Sequence, residues 1–199
     1  MIAQTVDAAD RKSAGVAASE GAQRRDDPVL NYRLDVLATD TADVVRSIGG
    51  WLYDRTAAGW DVNVLSPQHT DIRQLQILGV HAASLASDLA HPPPALARCG
   101  LVVSSDIFAS DARVREVVLT ALDRRMAEVT PIGDDWPLAV RQRTTAVRHE
   151  LSAAARAFKG YALTAAGISS PVEPIETLRI PDRTNVTLAS LWLPSVPPA

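Results

Sequence analysis

Short apolar runs alternate with amphipathic stretches along the chain from Tyr32 onward. The apolar runs are rich in Val, Leu and Ile and are bounded by Ser, Thr, Asp, Pro or Gly, a pattern that is typical of buried β-strands. The predicted strands cover residues 33–38, 60–65, 80–85, 101–103 and 128–132.

The stretches between these runs predict helices. Thr39, Asp40 and Thr41 carry side-chain oxygens of the kind that cap a helix start, and apolar residues then recur at helical spacing. Gly79 and Gly167 stand where a glycine commonly ends a helix. The predicted helices cover residues 44–59, 71–78, a segment from Ser110 or Asp111 to Leu122, and 138–166.

Strands and helices therefore alternate, as they do in right-handed βαβ units around a parallel sheet. We expect a Rossmann-like three-layer α/β fold with a mainly parallel sheet of about five strands, helices on both faces and a long C-terminal helix. The favoured strand order is 3-2-1-4-5, and the flavodoxin-like order 2-1-3-4-5 is the alternative.

The two ends of the chain differ in composition from its middle. Residues 1–29 are rich in Ala, Gly, Ser and charged side chains without any aromatic residue, so they are predicted to form a disordered arm. Residues 30–167 are the predicted Rossmann-like domain. Residues 168–199 are a predicted Pro-rich tail that contains one strand-like run, 186–193.

Composition and charge argue against several classes of protein. The 199 residues carry a net charge of -3, so no whole-chain attraction to nucleic acid or to an anionic membrane is expected. Cys99 is the only cysteine and the four histidines match no ligand spacing, so neither a disulfide nor a metal site is indicated. A membrane span needs about 18 apolar residues, and no stretch reaches that length. Without a secretory signal pattern, a cytoplasmic location is expected.

Polar side chains follow the first and fourth predicted strands, where the order 3-2-1-4-5 reverses direction. Ligands of open α/β sheets bind outside the carboxyl ends of the strands at such a point. Carboxylate and hydroxyl oxygens there suit a cation, an amine or a polyhydroxy ligand. Helix capping is the competing interpretation, strongest for Asp40 and weakest for Asp106. The predicted ligand-binding residues, called the rim below, are Thr39, Asp40, Thr41, Ser104, Ser105, Asp106 and Asp134.

The same segments argue against several chemistries. No glycine stands in the turn after the first strand, where a pyrophosphate would approach the backbone, and no Walker-type lysine follows any strand. Receiver-type phosphotransfer needs a lysine after the fifth strand, where Gly133 and Asp134 stand instead. Ser104 and Ser105 lack the glycines of a nucleophile elbow. No cofactor and no metal is therefore identified.

A helix–strand run in the first half of the domain resembles a glycosyltransferase family. Gly50-Trp51 lies in the first helix, and Gly59-Trp60-Asp61-Val62-Asn63-Val64-Leu65 leads into the second strand. This run resembles the amino-terminal half of GT-B glycosyltransferases, where a glycine-bearing helix leads into a strand with a Gly-aromatic-Asp-Val start. The resemblance covers residues 50–65 without the second Rossmann domain of those enzymes, and it carries no catalytic residue over.

The predicted long helix offers two surfaces for a partner. Its apolar residues recur by four and three, and Val147, Leu151 and Phe158 are the proposed contact positions on this seam. Its other faces are mainly basic. Three interpretations stay open: the helix packs on its own sheet, it forms a homodimer through the seam, or its basic face contacts nucleic acid. No aromatic stacking platform supports the last of these.

No motif in the sequence names a reaction. The favoured hypothesis is a non-catalytic ligand-binding or regulatory protein on a Rossmann-like scaffold, with a small polar ligand or a second copy of the chain as its partner. The alternative is an enzyme that acts on a small polar metabolite at the rim. A nucleic-acid-associated factor is the second alternative, because a fold alone does not decide function.

Overall fold

A parallel sheet forms the centre of the protein. The computed structural model describes residues 32–67, 72–86, 99–124, 128–133 and 135–181. Five strands pair in parallel in the order β3-β2-β1-β4-β5, which confirms the predicted order and excludes the flavodoxin-like alternative. These strands are β1 (Arg33–Leu37), β2 (Asp61–Ser66), β3 (His81–Ser84), β4 (Cys99–Ser104) and β5 (Glu128–Ile132).

Helices cover both faces of this sheet, as predicted for a three-layer fold. Successive side chains of a strand point to opposite faces. Leu34 of β1 therefore lies in a buried cluster with Ile48 of the first helix, whereas Leu37 lies in a second cluster with Val118 of the fourth. The helices are α1 (Thr41–Ala57), α2 (Arg73–Ile77), α3 (Ser105–Ser110), α4 (Ala112–Arg124), α5 (Leu138–Arg141) and α6 (Ala153–Ala165).

The chain after β5 does not form the predicted single helix over 138–166. It folds as the short helix α5, a strand β6 (Thr144–Glu150) and the helix α6. The strand β6 pairs antiparallel with β7 (Ile175–Pro181) in a separate two-stranded sheet. The prediction of one long C-terminal helix is therefore wrong.

Side-chain shape and capping explain this departure. Thr144, Thr145 and Val147 are β-branched, and β-branched residues favour extended backbone over helix. Ser152 then starts a new helix, because its Oγ accepts a hydrogen bond from the N–H of Ala155 at 3.0 Å. The apolar spacing of four and three therefore spans three elements, α5, β6 and α6, rather than one.

The predictions for the chain ends fall largely outside the described residues. The arm over 1–29 and the strand-like run over 186–193 both lie there. Within the predicted tail, residues 175–181 form β7, which no sequence pattern had indicated. This strand lies beside β5 and α1, so the tail contributes to the folded unit.

Candidate functional site

The strand register brings the two main rim segments side by side. Leu37 of β1 pairs with Val103 of β4. Residues 39–41 and 104–106 follow these two strands and therefore leave the same edge of the sheet next to each other. Asp134 lies outside the described residues.

Two rim side chains cap helices. Asp40 Oδ1 accepts a hydrogen bond from the N–H of Ala42 at 2.8 Å, at the start of α1. Ser104 Oγ accepts one from the N–H of Ile107 at 3.4 Å, at the start of α3. Capping therefore accounts for one oxygen of Asp40 and for the hydroxyl of Ser104.

Two further rim residues are buried beneath the surface. Thr41 is 2% exposed, and its hydroxyl oxygen accepts a hydrogen bond from the side-chain nitrogen of Gln74 at 2.9 Å. Ser105 packs against Gly133, where an added Cβ would lie 2.7 Å from Ser105 Oγ. Gly133 also has φ +88°, which favours glycine. The backbone at the end of β5 is thus fitted closely to Ser105.

Capping does not explain Asp106. Its side chain is exposed in the first turn of α3. Its backbone carbonyl accepts a hydrogen bond from Ser110 Oγ at 2.7 Å. Within the described residues its carboxylate has no hydrogen-bond or ion-pair partner. This carboxylate is available to a ligand at the rim.

Sequence reasoning missed Gln74, which lies in the first turn of α2. The residue is 4% exposed. Its amide nitrogen donates to Thr41, whereas its amide oxygen is buried without a hydrogen-bond partner. Glutamine is common in helices, and the contact joins positions 33 residues apart, so the sequence carries no signal for it.

The positions proposed for an interaction helix do not share one helix face. Val147 is half-buried on β6, and Leu151 is buried against Gly50 of α1. Phe158 lies on α6, is 39% exposed and stacks on Tyr53 with ring centroids 4.6 Å apart. The predicted seam is therefore not formed, and a homodimer stays a prediction.

The basic face of the predicted helix is dispersed as well. Lys159 is buried, at 4% exposure. Arg143 lies before β6 and pairs with Asp123 of α4 at 3.0 Å. The sequence feature that suggested a nucleic-acid contact is therefore not a continuous surface.

A buried ion pair joins α6 and β7 to the middle of α1. Lys159 Nζ and Glu176 Oε1 lie 2.5 Å apart, and both residues are 4% exposed. The Glu176 carboxylate accepts hydrogen bonds from the N–H groups of Gly50 (2.9 Å) and Trp51 (2.7 Å). Lys159 donates to the carbonyl of Arg46 at 2.8 Å. Burial raises the pKa of Glu176, although Lys159 and the two N–H groups act in the opposite direction.

A second polar pair reinforces the same contact. His149 Nε2 and Asp54 Oδ2 are 2.9 Å apart, and His149 is 2% exposed. The N–H of Ser152 also donates to Asp54 Oδ2 at 3.4 Å. Burial tends to raise the pKa of Asp54, but the hydrogen bonds from His149 and Ser152 outweigh it, so this pKa lies below its ordinary value.

The described residues hold neither a candidate metal centre nor a helix that could span a membrane. In that part of the chain no group of three or more His, Cys, Asp and Glu side chains is placed to hold a metal ion. None of the helices found there has both the length and the apolar character needed to cross a membrane.

Comparison with solved structures finds deacetylases of antibiotic biosynthesis. A deacetylase–teicoplanin complex matches at 14% identity and a TM-score of 0.50, over 77% of this chain and 99% of that chain. A triple mutant of a deacetylase in the teicoplanin pathway matches at 14% identity and a TM-score of 0.48, over 77% of this chain and 99% of that chain. A pseudoaglycone deacetylase matches at 14% identity and a TM-score of 0.43, over 67% of this chain and 80% of that chain. No protein-family model and no curated protein matches the chain.

The neighbour with a TM-score of 0.50 corrects the favoured functional hypothesis. The match at a TM-score of 0.50 establishes a shared α/β fold, and that neighbour is an enzyme by its description. The expectation of a non-catalytic binding or regulatory protein is therefore wrong, and the alternative of an enzyme for a small polar metabolite is better supported.

Proposed function

We propose that this protein is an enzyme that acts on a small polar metabolite at the rim, and that its reaction is the hydrolytic removal of an acyl group from a polyhydroxy amine. The observation that carries the proposal is the Asp106 carboxylate, which is exposed and unpaired within the described residues at the end of β4. It follows β4, which pairs with β1 at the point where the strand order reverses, and α/β sheets bind ligands at such a point.

The chemistry of the rim supports an amine-bearing, hydroxyl-rich substrate. Asp40 and Asp106 are both exposed, and Asp40 uses only one oxygen for capping. Carboxylates accept hydrogen bonds from hydroxyl groups and attract the ammonium group that deacylation releases. A fold shared with a deacetylase is consistent with this reaction class.

In the proposed reaction, a water oxygen adds to the carbonyl carbon of the substrate's amide while Asp106 takes a proton from that water. The carbon–nitrogen bond then breaks, and the amine nitrogen takes the proton back from Asp106. The products are a carboxylic acid and a free amine, so no oxidant or reductant is needed. Positioned proton transfer of this kind contributes about 10²–10⁴ to a rate.

The test is a screen of the full chain for acetate release. The substrates are N-acetylglucosamine, N-acetylmannosamine and N-acetylated amino acids, and the corresponding free amines are tested for a rise in melting temperature. We expect release from a hydroxyl-rich member and stabilisation by its free amine, both lost in the double variant Asp40→Asn/Asp106→Asn. No release and no stabilisation by any compound would refute the proposal.

A further inference from the structure

An open pocket lies between the last turns of α6 and the segment that follows this helix. Gly167 takes a left-handed conformation with φ +71°, and the chain then turns back along the helix, so that Val172 lies 3.6 Å from the position of an added Cβ at Gly160. The volume of the pocket is about 460 Å³, within the range of about 300–1,000 Å³ that small-molecule sites occupy. Its walls are formed by Gly160, Leu163 and Thr164 of α6 and by residues 167–171.

Two backbone hydrogen bonds close the end of α6 beside this pocket. The N–H of Gly167 donates to the carbonyl of Thr164 at 3.0 Å, and the N–H of Ile168 donates to the carbonyl of Leu163 at 2.9 Å. Such a closure fixes the chain where it leaves the helix. It also engages two of the carbonyl oxygens with which a helix C-terminus attracts a cation, so the pocket is not built for an ammonium group.

Three hydroxyl groups on exposed residues line the pocket. Ser169 and Ser170 are exposed, and within the described residues neither side chain has a hydrogen-bond or ion-pair partner. Thr164 is exposed as well; its hydroxyl donates to the carbonyl of Gly160 at 3.0 Å and keeps its acceptor lone pairs. Because a hydroxyl group both donates and accepts, these three groups can pair with hydroxyl groups of a ligand.

The rest of the lining is apolar, and none of it is charged. Leu163, which is 2% exposed, the half-buried Ile168 and Pro171 contribute apolar surface. No lining residue has an ionisable side chain, so a charged ligand would find no ion-pair partner there. A sugar ring combines the two properties that this lining matches, since its C–H groups pack on apolar surface and its hydroxyl groups form hydrogen bonds.

We propose that this pocket binds a neutral sugar residue. The C–H groups of the ring lie against Leu163, Ile168 and Pro171, and its hydroxyl groups pair with Ser169 and Ser170. The site shares no residue with the rim and does not depend on the reaction proposed there. Its lining has no carboxylate, imidazole or amine that could move a proton, so the sugar is held there without being changed.

Two variants remove the pocket in different ways. Ser169→Ala/Ser170→Ala removes both unpaired hydroxyl groups at exposed positions, so its melting temperature should stay within about two degrees of the wild-type value. Gly160→Leu fills the pocket from α6. The fold has space for a Cβ there, and leucine favours helix over glycine, so this variant should melt with the wild type or above it. The matched control is Thr177→Ala, which removes an exposed hydroxyl group on β7 outside the pocket.

The experiment follows the backbone amide resonances of the full chain during titration with glucose and methyl β-glucoside. Neither sugar carries an acyl group, so the reaction proposed at the rim cannot consume it. We expect saturable shifts at Gly160, Gly167 and Ser170. Binding should be at least about tenfold weaker in Ser169→Ala/Ser170→Ala, absent in Gly160→Leu and unchanged in Thr177→Ala.

Three results would overturn the inference. These are the absence of shifts at the pocket, an unchanged affinity in either pocket variant, and tighter binding of glucosamine or glucuronate than of glucose. The variant Asp40→Asn/Asp106→Asn should bind glucose at the pocket as the wild type does. A failure at the pocket therefore leaves the proposed function standing, and a failure of acetate release leaves the pocket standing.

Discussion

Two polar regions contact the same helix, α1, and they differ in how their polar groups are satisfied. At the rim, Asp40 and Ser104 bind backbone groups two and three residues further along the chain. In the middle of α1, the Glu176 carboxylate binds backbone groups 125 and 126 residues away, and Lys159 completes the pair. These two capping contacts of the rim are local, and the Asp40 and Asp106 side chains there are exposed. The second region, called the buried contact below, is enclosed and long-range.

This difference indicates which region stabilises the fold and which is available for chemistry. A charge that loses its partner inside a protein is costly, because neither water nor another group replaces the lost interaction. An exposed carboxylate such as Asp106 is solvated and costs little to change. We therefore expect the buried contact to respond in stability and the rim to respond in binding and turnover.

The largest effect is expected from Lys159→Met. This change leaves the Glu176 carboxylate buried without its ammonium partner and should lower the free energy of unfolding by about 3–5 kcal/mol, measured by urea denaturation. Asp106→Asn should change it by no more than about 0.5 kcal/mol. A loss below about 1 kcal/mol in Lys159→Met would remove the contrast between the two regions.

Two adjacent glycines sharpen the comparison within the buried contact. An added Cβ at Gly50 would lie 2.4 Å from Leu151 Cδ1, whereas one at Gly49 meets its neighbours at 3.4 Å or more. Gly50→Ala should cost about 1–3 kcal/mol through overpacking. Gly49→Ala should be neutral or stabilising by up to about 1 kcal/mol, because alanine favours helix.

A double-mutant cycle checks the cause of that difference. If Leu151 is the residue that an alanine at position 50 displaces, Leu151→Ala should reduce the cost of Gly50→Ala. Equal stability changes for Gly49→Ala and Gly50→Ala would show that the close approach of Leu151 does not matter.

At the rim, two substitutions of Asp40 distinguish its role as a helix cap from the role of its negative charge. Asp40→Ala removes the acceptor for the Ala42 N–H and should cost about 1 kcal/mol of stability. Asp40→Asn keeps a cap of similar quality and should cost only a few tenths of a kcal/mol while it weakens binding of a free amine. Thermal unfolding and amine titration of both variants provide the measurement. Unweakened amine binding by Asp40→Asn would leave this residue a cap only.

The smallest effect concerns acid stability. Because the pKa of Asp54 is lowered in the folded protein, its contribution to stability is present above the unfolded pKa and is lost as the pH falls through the folded pKa. Asp54→Asn should therefore flatten the decline in melting temperature below about pH 4. If the melting temperature of wild type and variant declined equally steeply with falling pH, the hydrogen bond from His149 would not hold this carboxylate ionised.

The same contrast explains what could be predicted from the sequence. The strand order and the Asp40 cap follow from local signals, because apolar runs, capping residues and βαβ handedness act over short stretches. The contact between Gly50 and Leu151 and the pair of Lys159 and Glu176 depend on tertiary packing, which no local pattern encodes.

The segment 138–166 was mispredicted for a related reason. Its apolar residues fit helical spacing, but that spacing also arises when a strand and a helix follow each other. The β-branched residues Thr144, Thr145 and Val147 and the cap at Ser152 were the local signals against a single helix. Gln74 had no such signal, because only the position of Thr41 gives its amide a role.

The most direct test of the account is the rate of acetate release by Asp106→Asn, measured on samples whose melting temperatures are also recorded. The matched control is Asp61→Asn, an exposed aspartate at the start of β2, on the opposite edge of the sheet. The account predicts that both variants melt with the wild type and that only Asp106→Asn is slower, by at least about 100-fold. Wild-type turnover by a folded Asp106→Asn protein would contradict it.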